Sequence, residues 1–214
     1  MPTSTSIQNK AAALALLKTQ VTNCRKCPLG YERIQAVFSV GNPKSPLVFI
    51  GEAPGFQEDH RGEPFIGRAG ELLNKMIEEV LGLKRQDIYI TNVVKCHPMT
   101  NPKNPEAKGN DRPPTKEEIE ACHLWWQGEM EIIKPKIVCV LGASALSAIL
   151  GEKVSVGEYK GKTFTRPNLP GITLFVTYHP AAILRNMGLI DNYKDDFRKL
   201  KAILGSVTHN AITQ

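Results

Sequence analysis

The sequence of 214 residues contains no apolar run that approaches the roughly 20 residues needed to cross a bilayer. No basic region precedes its first apolar stretch, so a secretion signal is not expected. Cysteine is scarce, with five residues, and without export these thiols are not expected to form structural disulfides. The absences together predict a soluble, cytoplasmic protein that has no membrane partner and keeps its cysteines reduced.

No internal repeat divides the chain, and its length suits one domain with a substantial core. We expect a single domain over residues 1–205 and a flexible tail over residues 206–214. The formal charge of +6 permits an anionic partner, because lysine and arginine contacts to phosphates release counterions. Solvated lysines give the same charge balance, so the partner must be identified from other features.

Short apolar runs alternate with segments of helical spacing. The runs are rich in Val and Ile, as expected of strands buried on both faces, and cover residues 47–51, 88–93, 136–142 and 173–178. Helical spacing occupies residues 7–21, 70–81, 115–133, 143–150 and 191–204. This alternation predicts an α/β fold: a single-domain α/β/α sandwich with a central, mainly parallel four-stranded sheet.

Distinctive residues follow three of the predicted strands. Residues 51–55 (GEAPG) follow the first strand, Asn92 ends the second and His179 follows the fourth. Ligands collect at the carboxyl ends of parallel strands, so these three segments are expected to converge. Residues 100–114 are rich in Pro, Asn, Lys and Gly and predict a surface loop.

Four of the cysteines form a candidate metal site. Cys24 and Cys27 make a C-x-x-C pair, and 68 and then 25 residues separate the next two, Cys96 and Cys122. Four thiolates suit zinc or an iron-sulfur cluster, and a lone C-x-x-C pair also suits redox chemistry; spacing leaves these alternatives open. Cys139 lies in the middle of a predicted strand, where cysteine acts as a small apolar residue.

These segments together resemble the family 4 uracil-DNA glycosylases. The resemblance runs from about residue 24 to residue 204 and is carried by residues 51–59 (GEAPGFQED), 62–70 (GEPFIGRAG), 91–96 (TNVVKC) and 179–181 (HPA), with the glutamate-rich stretch before Cys122. It implies a base-excision repair enzyme that hydrolyses the N-glycosidic bond of deoxyuridine in DNA, releasing uracil and leaving an abasic site. It also implies a [4Fe-4S] cluster held by Cys24, Cys27, Cys96 and Cys122.

The resemblance assigns roles to residues around the converging loops. Asn92 would recognise uracil, because one amide offers a donor and an acceptor. Phe65 would stack on the flipped base. His179 would donate a hydrogen bond to uracil O2 as negative charge develops on the leaving base. Without the resemblance, the alternatives are a cap of the turn at the strand end for Asn92, a core aromatic for Phe65, and a loop or cap residue for His179.

The first loop carries the acidic candidates. Glu52 and Glu58 would stabilise the sugar cation or position water, and the sequence does not divide these tasks between them. Ala53 stands where family 1 enzymes place an aspartate, which weakens general-base catalysis as an explanation and favours electrostatic stabilisation. Gly51 and Gly55 would let the nucleotide approach the backbone closely.

Several residues are candidates for contact with DNA. Ile183 or Leu184 would fill the position that the flipped base vacates, and Arg185 would bind a phosphate. Helix packing explains either apolar residue nearly as well. Further candidates for phosphate contact share only a basic side chain and are Arg68, Lys95, Lys103, Lys108 and Arg112.

Two departures from the family pattern fall near the expected DNA side. His97 stands where arginine is usual, and residues 99–109 look longer than the usual loop. X-type relatives trap the sugar covalently through a loop histidine, but residues 98–114 here contain no histidine. Three hypotheses follow: a monomeric glycosylase acting on uracil in single- or double-stranded DNA; a non-catalytic or covalently trapping binder of uracil or abasic DNA; and a glycosylase of wider base range.

Overall fold

The computed structural model describes residues 4–210, with side chains from residue 9 to residue 207. Within this part of the chain a single sheet of six strands forms, in the order β1-β3-β2-β4-β6-β5. The strands are β1 Val40–Gly41, β2 Leu47–Gly51, β3 Tyr89–Asn92, β4 Ile137–Leu141, β5 Thr163–Thr165 and β6 Thr173–Thr177. The four central strands are parallel and are the four that the sequence predicts.

The prediction of four strands is wrong in number, because β1 and β5 add antiparallel pairs at the two edges. These strands have two and three residues and no buried side chain. Such short, half-exposed segments lack the buried apolar run by which the central strands were predicted.

Helices cover both faces of the sheet. They are α1 Ser4–Thr22, α2 Leu29–Glu32, α3 Phe56–Arg61, α4 Arg68–Met76, α5 Lys116–Ile133, α6 Gly142–Leu150, α7 Val156–Tyr159, α8 Pro180–Arg185 and α9 Ile190–Asn210. A π-helical turn, Ile77–Leu81, extends α4, and 3-10 turns occur at Arg85–Asp87 and Met187–Leu189. No helix of the described residues is both long enough and apolar enough to span a membrane.

Alternate residues of the central strands face opposite layers. In β2, Val48 and Ile50 join a core with α1, α5 and α6, while Leu47 and Phe49 join a core with α4 and α9. This arrangement confirms the α/β/α sandwich. It also explains the near-continuous apolar runs, because each central strand is buried on both faces.

One predicted helix boundary, at the start of α5, is confirmed, and another, at the end of α9, is wrong. Thr115 accepts a hydrogen bond from the Glu118 amide and Glu118 reciprocates, which is the predicted capping box at the start of α5. The closing helix α9 is longer than predicted and continues to Asn210. The predicted tail of residues 206–214 is therefore helical over residues 206–210, and residues 211–214 lie outside the described residues.

Candidate active site

A cleft of about 770 Å³ opens at the carboxyl edge of the sheet, where the predicted loops converge. It is lined from β2 by Glu52, Ala53, Gly55 and Glu58, from β3 by Asn92, and from β6 by His179. Phe65, Arg68, Arg112 and Arg185 complete the lining among the residues singled out from the sequence. The expected convergence of three loops is confirmed.

Gly51 lets the side chains of Asn92 and Phe65 lie close to the backbone at the end of β2. It ends β2 directly opposite Asn92 at the end of β3. A Cβ atom at Gly51 would lie 2.5 Å from Asn92 Oδ1 and closer still to the ring of Phe65. The glycine therefore serves to bring an amide and an aromatic ring together, and its own contact with substrate stays a prediction.

Asn92 lines the cleft and keeps an unsatisfied side-chain oxygen. Only 3% of the residue is exposed, and its Oδ1 is buried without a hydrogen-bond partner in the described part of the chain. An unpaired buried acceptor costs roughly 1–3 kcal/mol. A ligand with an N–H group at this position would recover that cost.

Phe65 forms one wall in a strained backbone conformation. Its φ of 53° is in the left-handed region, which side chains other than glycine rarely adopt. The ring centroid lies 5.7 Å from that of His179, and 5% of the residue is exposed. The ring therefore packs in the core and presents only a small surface to the cleft.

His179 begins helix α8, and its side chain caps that helix. Nδ1 accepts a hydrogen bond of 3.2 Å from the Ala181 amide. A neutral imidazole that accepts at Nδ1 carries its proton on Nε2. Burial, with a smaller effect of the Arg185 charge, lowers the pKa of His179 to about 4. The ring is thus a neutral donor at physiological pH.

The hydrogen bonds separate the roles of the two glutamates. Glu58 accepts from the amides of Gly55, Ile66 and Gly67 at 3.0–3.2 Å, so its carboxylate ties two loops together. It is a positioning residue, and its predicted role at the sugar has no support in this geometry.

Glu52, in contrast, has a buried Oε1 without a partner among the described residues. Burial raises the pKa of this carboxyl, while a Ser144 hydrogen bond and the Arg185 charge oppose the rise. Ala53 places a methyl group in the lining and offers no second carboxylate. Glu52 is therefore the acidic residue available for chemistry.

The candidates for the wedge must be revised. Ile183 is fully buried in the core beneath α4 and α9, so the prediction that it fills the vacated base position is wrong. Leu184 is half-buried and stays a prediction. Met187, just after α8, is 54% exposed, and the sequence analysis missed this apolar side chain. Its position between Asn186 and Gly188, two residue types that favour turns, was the signal in the sequence for its exposure.

One of the predicted phosphate contacts is also wrong. Lys95 is 1% exposed and pairs with Glu129, so it cannot reach DNA. Arg112 lines the cleft and donates to both oxygens of Glu118 at 2.7 and 2.8 Å, and its contact with a phosphate stays a prediction. Residues that remain exposed are Arg68, Lys103, Lys108 and Arg185.

The long loop is held by the unusual histidine. His97 is 1% exposed; Nε2 lies 2.6 Å from Asp111 Oδ1 and Nδ1 lies 3.6 Å from Asp59 Oδ2. Burial alone would lower the pKa of His97, but the two aspartates raise it to about 9. His97 is therefore a structural clamp, and its burial and the Nε2 bond to Asp111 do not suit it to covalent trapping.

Four cysteines converge on a second, small cavity. Cys24, Cys27, Cys96 and Cys122 all line it, and all are free thiols. Arg33 Nη1 donates to Cys96 Sγ at 3.0 Å, and the Lys95 amide donates to Cys122 Sγ at 3.3 Å. Cys139 is fully buried in β4 on the opposite face, as expected of an apolar strand residue.

The fold and the cleft define an α/β protein with a candidate ligand-binding site at the carboxyl edge of its sheet. The family model of the uracil DNA glycosylase superfamily matches residues 38–204. The chain therefore belongs to the uracil DNA glycosylase superfamily.

Relatives narrow the family to its type-4 branch. The chain is 41% identical to the type-4 uracil-DNA glycosylase of Saccharolobus solfataricus over 199 residues, covering 90% of this chain and 87% of the relative. It is 40% identical to that of Sulfurisphaera tokodaii, covering 89% and 84%. The type-4 enzyme of Thermotoga maritima is also 40% identical, covering 81% and 84%. The resemblance to family 4 is confirmed.

A substitution at Gly70 tests whether stability and activity depend on the backbone position of Phe65. A Cβ atom at Gly70, in the first turn of α4, would overlap the backbone carbonyl of Phe65. We expect Gly70→Ala to displace Phe65 and to lower the free energy of unfolding by about 1–3 kcal/mol. Gly128→Ala is the matched control, because a Cβ there meets only Leu17 at 3.5 Å. Chemical denaturation and uracil release would be measured; unchanged values in Gly70→Ala would contradict this account.

Proposed function

We propose that the cleft is the active site of a uracil-DNA glycosylase, in which Asn92, His179 and Glu52 divide the work of hydrolysis. The observation that carries this proposal is the unpartnered Asn92 amide beside Phe65 and the fixed His179 ring. As a member of its family, the chain is an enzyme of base-excision repair. The residue roles below are our own assignment.

Recognition begins when deoxyuridine leaves the helix and its base enters the cleft. Asn92 Oδ1 accepts from uracil N3–H, and its Nδ2 donates to O4. Cytosine presents an acceptor at N3 and a donor at N4. Its N3 would face the acceptor Oδ1 of Asn92, and its N4 amine would face the donor Nδ2. Such mismatched buried pairs support discrimination against cytosine.

Bond cleavage moves negative charge onto the base and positive charge onto the sugar. His179 Nε2–H donates to uracil O2 as the C1′–N1 bond breaks, which stabilises the leaving anion. The Glu52 carboxylate stabilises the sugar cation and orients the water that adds to C1′. The water supplies oxygen to the sugar, and its proton neutralises the released base.

We propose that the cysteine cavity holds an iron-sulfur cluster, which Cys24, Cys27, Cys96 and Cys122 would bind. Its donors are four thiols, and two of them already accept N–H hydrogen bonds of the kind that stabilise thiolates. Such a cluster would tie the α1–α2 connection to α5 and to the segment after Asn92.

We further propose that the enzyme works as a cytoplasmic monomer on uracil in single- or double-stranded DNA. The exposed Arg68 and Arg185 at the cleft support phosphate contacts on either side of the flipped nucleotide. The apolar Leu184 and the exposed Met187 are the candidates to occupy the vacated base position.

Excision assays test the proposed roles. We expect wild-type protein to release uracil from oligonucleotides over many turnovers and to leave matched cytosine and thymine intact. His179→Ala should lower the single-turnover rate by roughly 10²–10³-fold, as loss of an oxyanion donor does, and Asn92→Ala should also lose most activity.

His60→Gln is the control, because this histidine lies outside the cleft lining. Full activity in His179→Ala would overturn the assignment. Hypoxanthine and xanthine oligonucleotides in the same assay measure the base range. A complex that survives denaturation would instead favour covalent trapping.

The pH dependence tests the neutral histidine. With a pKa of about 4, His179 stays neutral through mildly acidic solution and is protonated only as the pH falls through that value. Protonated Nδ1 can no longer accept from Ala181, so the single-turnover rate should fall there. Burial raises the pKa of Glu52, whose carboxylate also acts in the proposed chemistry, so the titration is measured in Glu52→Gln, where the residual single-turnover rate should fall with a midpoint near pH 4. A midpoint near the ordinary histidine value of about 6.5 would contradict the assignment.

Metal analysis tests the cysteine site. We expect purified protein to contain iron and sulfide, and Cys122→Ala to lose both together with the visible absorbance of the cluster. Cys139→Ala should keep them and lower the free energy of unfolding by about 1 kcal/mol. Stoichiometric zinc in place of iron would refute the cluster.

A further inference from the structure

Lys95 forms a buried ion pair that the proposed chemistry does not use. Its Nζ lies 2.7 Å from Glu129 Oε2, and the exposures of the two residues are 1% and 0%. Thr91 Oγ1 accepts from the same ammonium at 2.5 Å and donates to Glu129 at 2.8 Å. The network therefore joins the end of β3 to helix α5 in the interior of the protein.

Such a pair is weak evidence for stability. The desolvation of two charges often equals or exceeds their attraction, and well-packed apolar residues in their place are often neutral or stabilising. Lys95 makes a third hydrogen bond, in which Nζ donates to the Asn92 carbonyl at 2.9 Å. The ion pair therefore acts on the position of Asn92 and not only on stability.

That bond fixes the residue that reads the base. Asn92 is the last residue of β3, and immediately after it the Val93 and Val94 amides pair back to Gly51 and Glu52. Holding the Asn92 carbonyl fixes its peptide plane and so the direction in which its side chain leaves the backbone. Asn92 lines the cleft, and its buried Oδ1 has no hydrogen-bond partner among the described residues.

Lys95 is also joined to the cysteine cavity. Its amide donates to Cys122 Sγ at 3.3 Å, and the next residue along the chain is Cys96. One residue thus contacts the base-reading asparagine through its side chain and a candidate cluster ligand through its backbone.

We propose that Lys95, held by Glu129, is a positioning residue that sets the orientation of Asn92 for uracil. This inference rests on the proposed role of Asn92 in the active site. Misplacement of a catalytic constellation by 1 Å can cost on the order of 10²-fold in rate. Loss of the ammonium should therefore weaken excision through Asn92 and not through general unfolding.

The test is a set of variants that removes the ammonium without stranding a charge. Lys95→Met alone leaves Glu129 buried and unpaired and risks unfolding. The double variant Lys95→Met/Glu129→Gln is neutral and keeps an amide that can bond to Thr91 and Tyr89. Glu129→Gln alone is the comparison variant, because it retains the ammonium and its bond to Asn92. It also leaves that ammonium buried without its carboxylate, so its thermal unfolding is compared with that of the double variant before the rates are compared. Iron content and thermal unfolding of every variant establish that fold and cysteine site are intact.

Coupling to Asn92→Ala separates positioning from a structural role. We expect Lys95→Met/Glu129→Gln to lower the single-turnover rate of uracil release by about 10–100-fold in the wild-type background. In the Asn92→Ala background, the same change should cost less than about 3-fold, because its target is gone. Glu129→Gln alone should lose much less activity than the double variant.

Two outcomes would overturn the inference. The first is an equal loss in both backgrounds, which would mark a general structural effect. The second is an unchanged rate in the wild-type background when iron content is intact. Failure of the proposed function itself would look different, since wild-type protein would then release no uracil at all.

Discussion

The shared carboxyl edge of two parallel strands is the constraint on which the active site depends. Gly51 and Asn92 end β2 and β3 in register, and a side chain at position 51 would overlap both Asn92 and Phe65. Because the strands are parallel neighbours, their following loops leave the sheet at one place. The His179 loop joins them from β6, so three segments that are far apart in the sequence form one cleft.

Burial gives this cleft its chemistry. Asn92 and Glu52 each keep an oxygen without a partner among the described residues, and His179 is held neutral by the same exclusion of water. Unsatisfied groups in a dry site are costly to the free protein and act strongly on a ligand that satisfies them. The interior behind the cleft provides rigidity, through the Glu58 carboxylate on the loops and the Lys95 ammonium on the strand end.

The sequence predicted what depends on local pattern and missed what depends on packing direction. The four central strands were predictable because burial on both faces leaves continuous apolar runs, whereas β1 and β5 are too short to leave a pattern. Motif residues were placed correctly at the strand ends. Ile183 and Lys95 were misassigned because composition does not tell which side of a helix or loop faces the core. Glu58 could not be separated from Glu52 until the backbone amides around each carboxylate were known.

The central claim is that burial presents His179 as a neutral imidazole whose Nε2 proton faces the base. The ¹⁵N resonances of the His179 ring, recorded at about pH 5.5 where an unperturbed histidine is mostly protonated, test it most directly. The account predicts a neutral ring with the proton on Nε2. An imidazolium at that pH, or a neutral ring protonated on Nδ1, would contradict it.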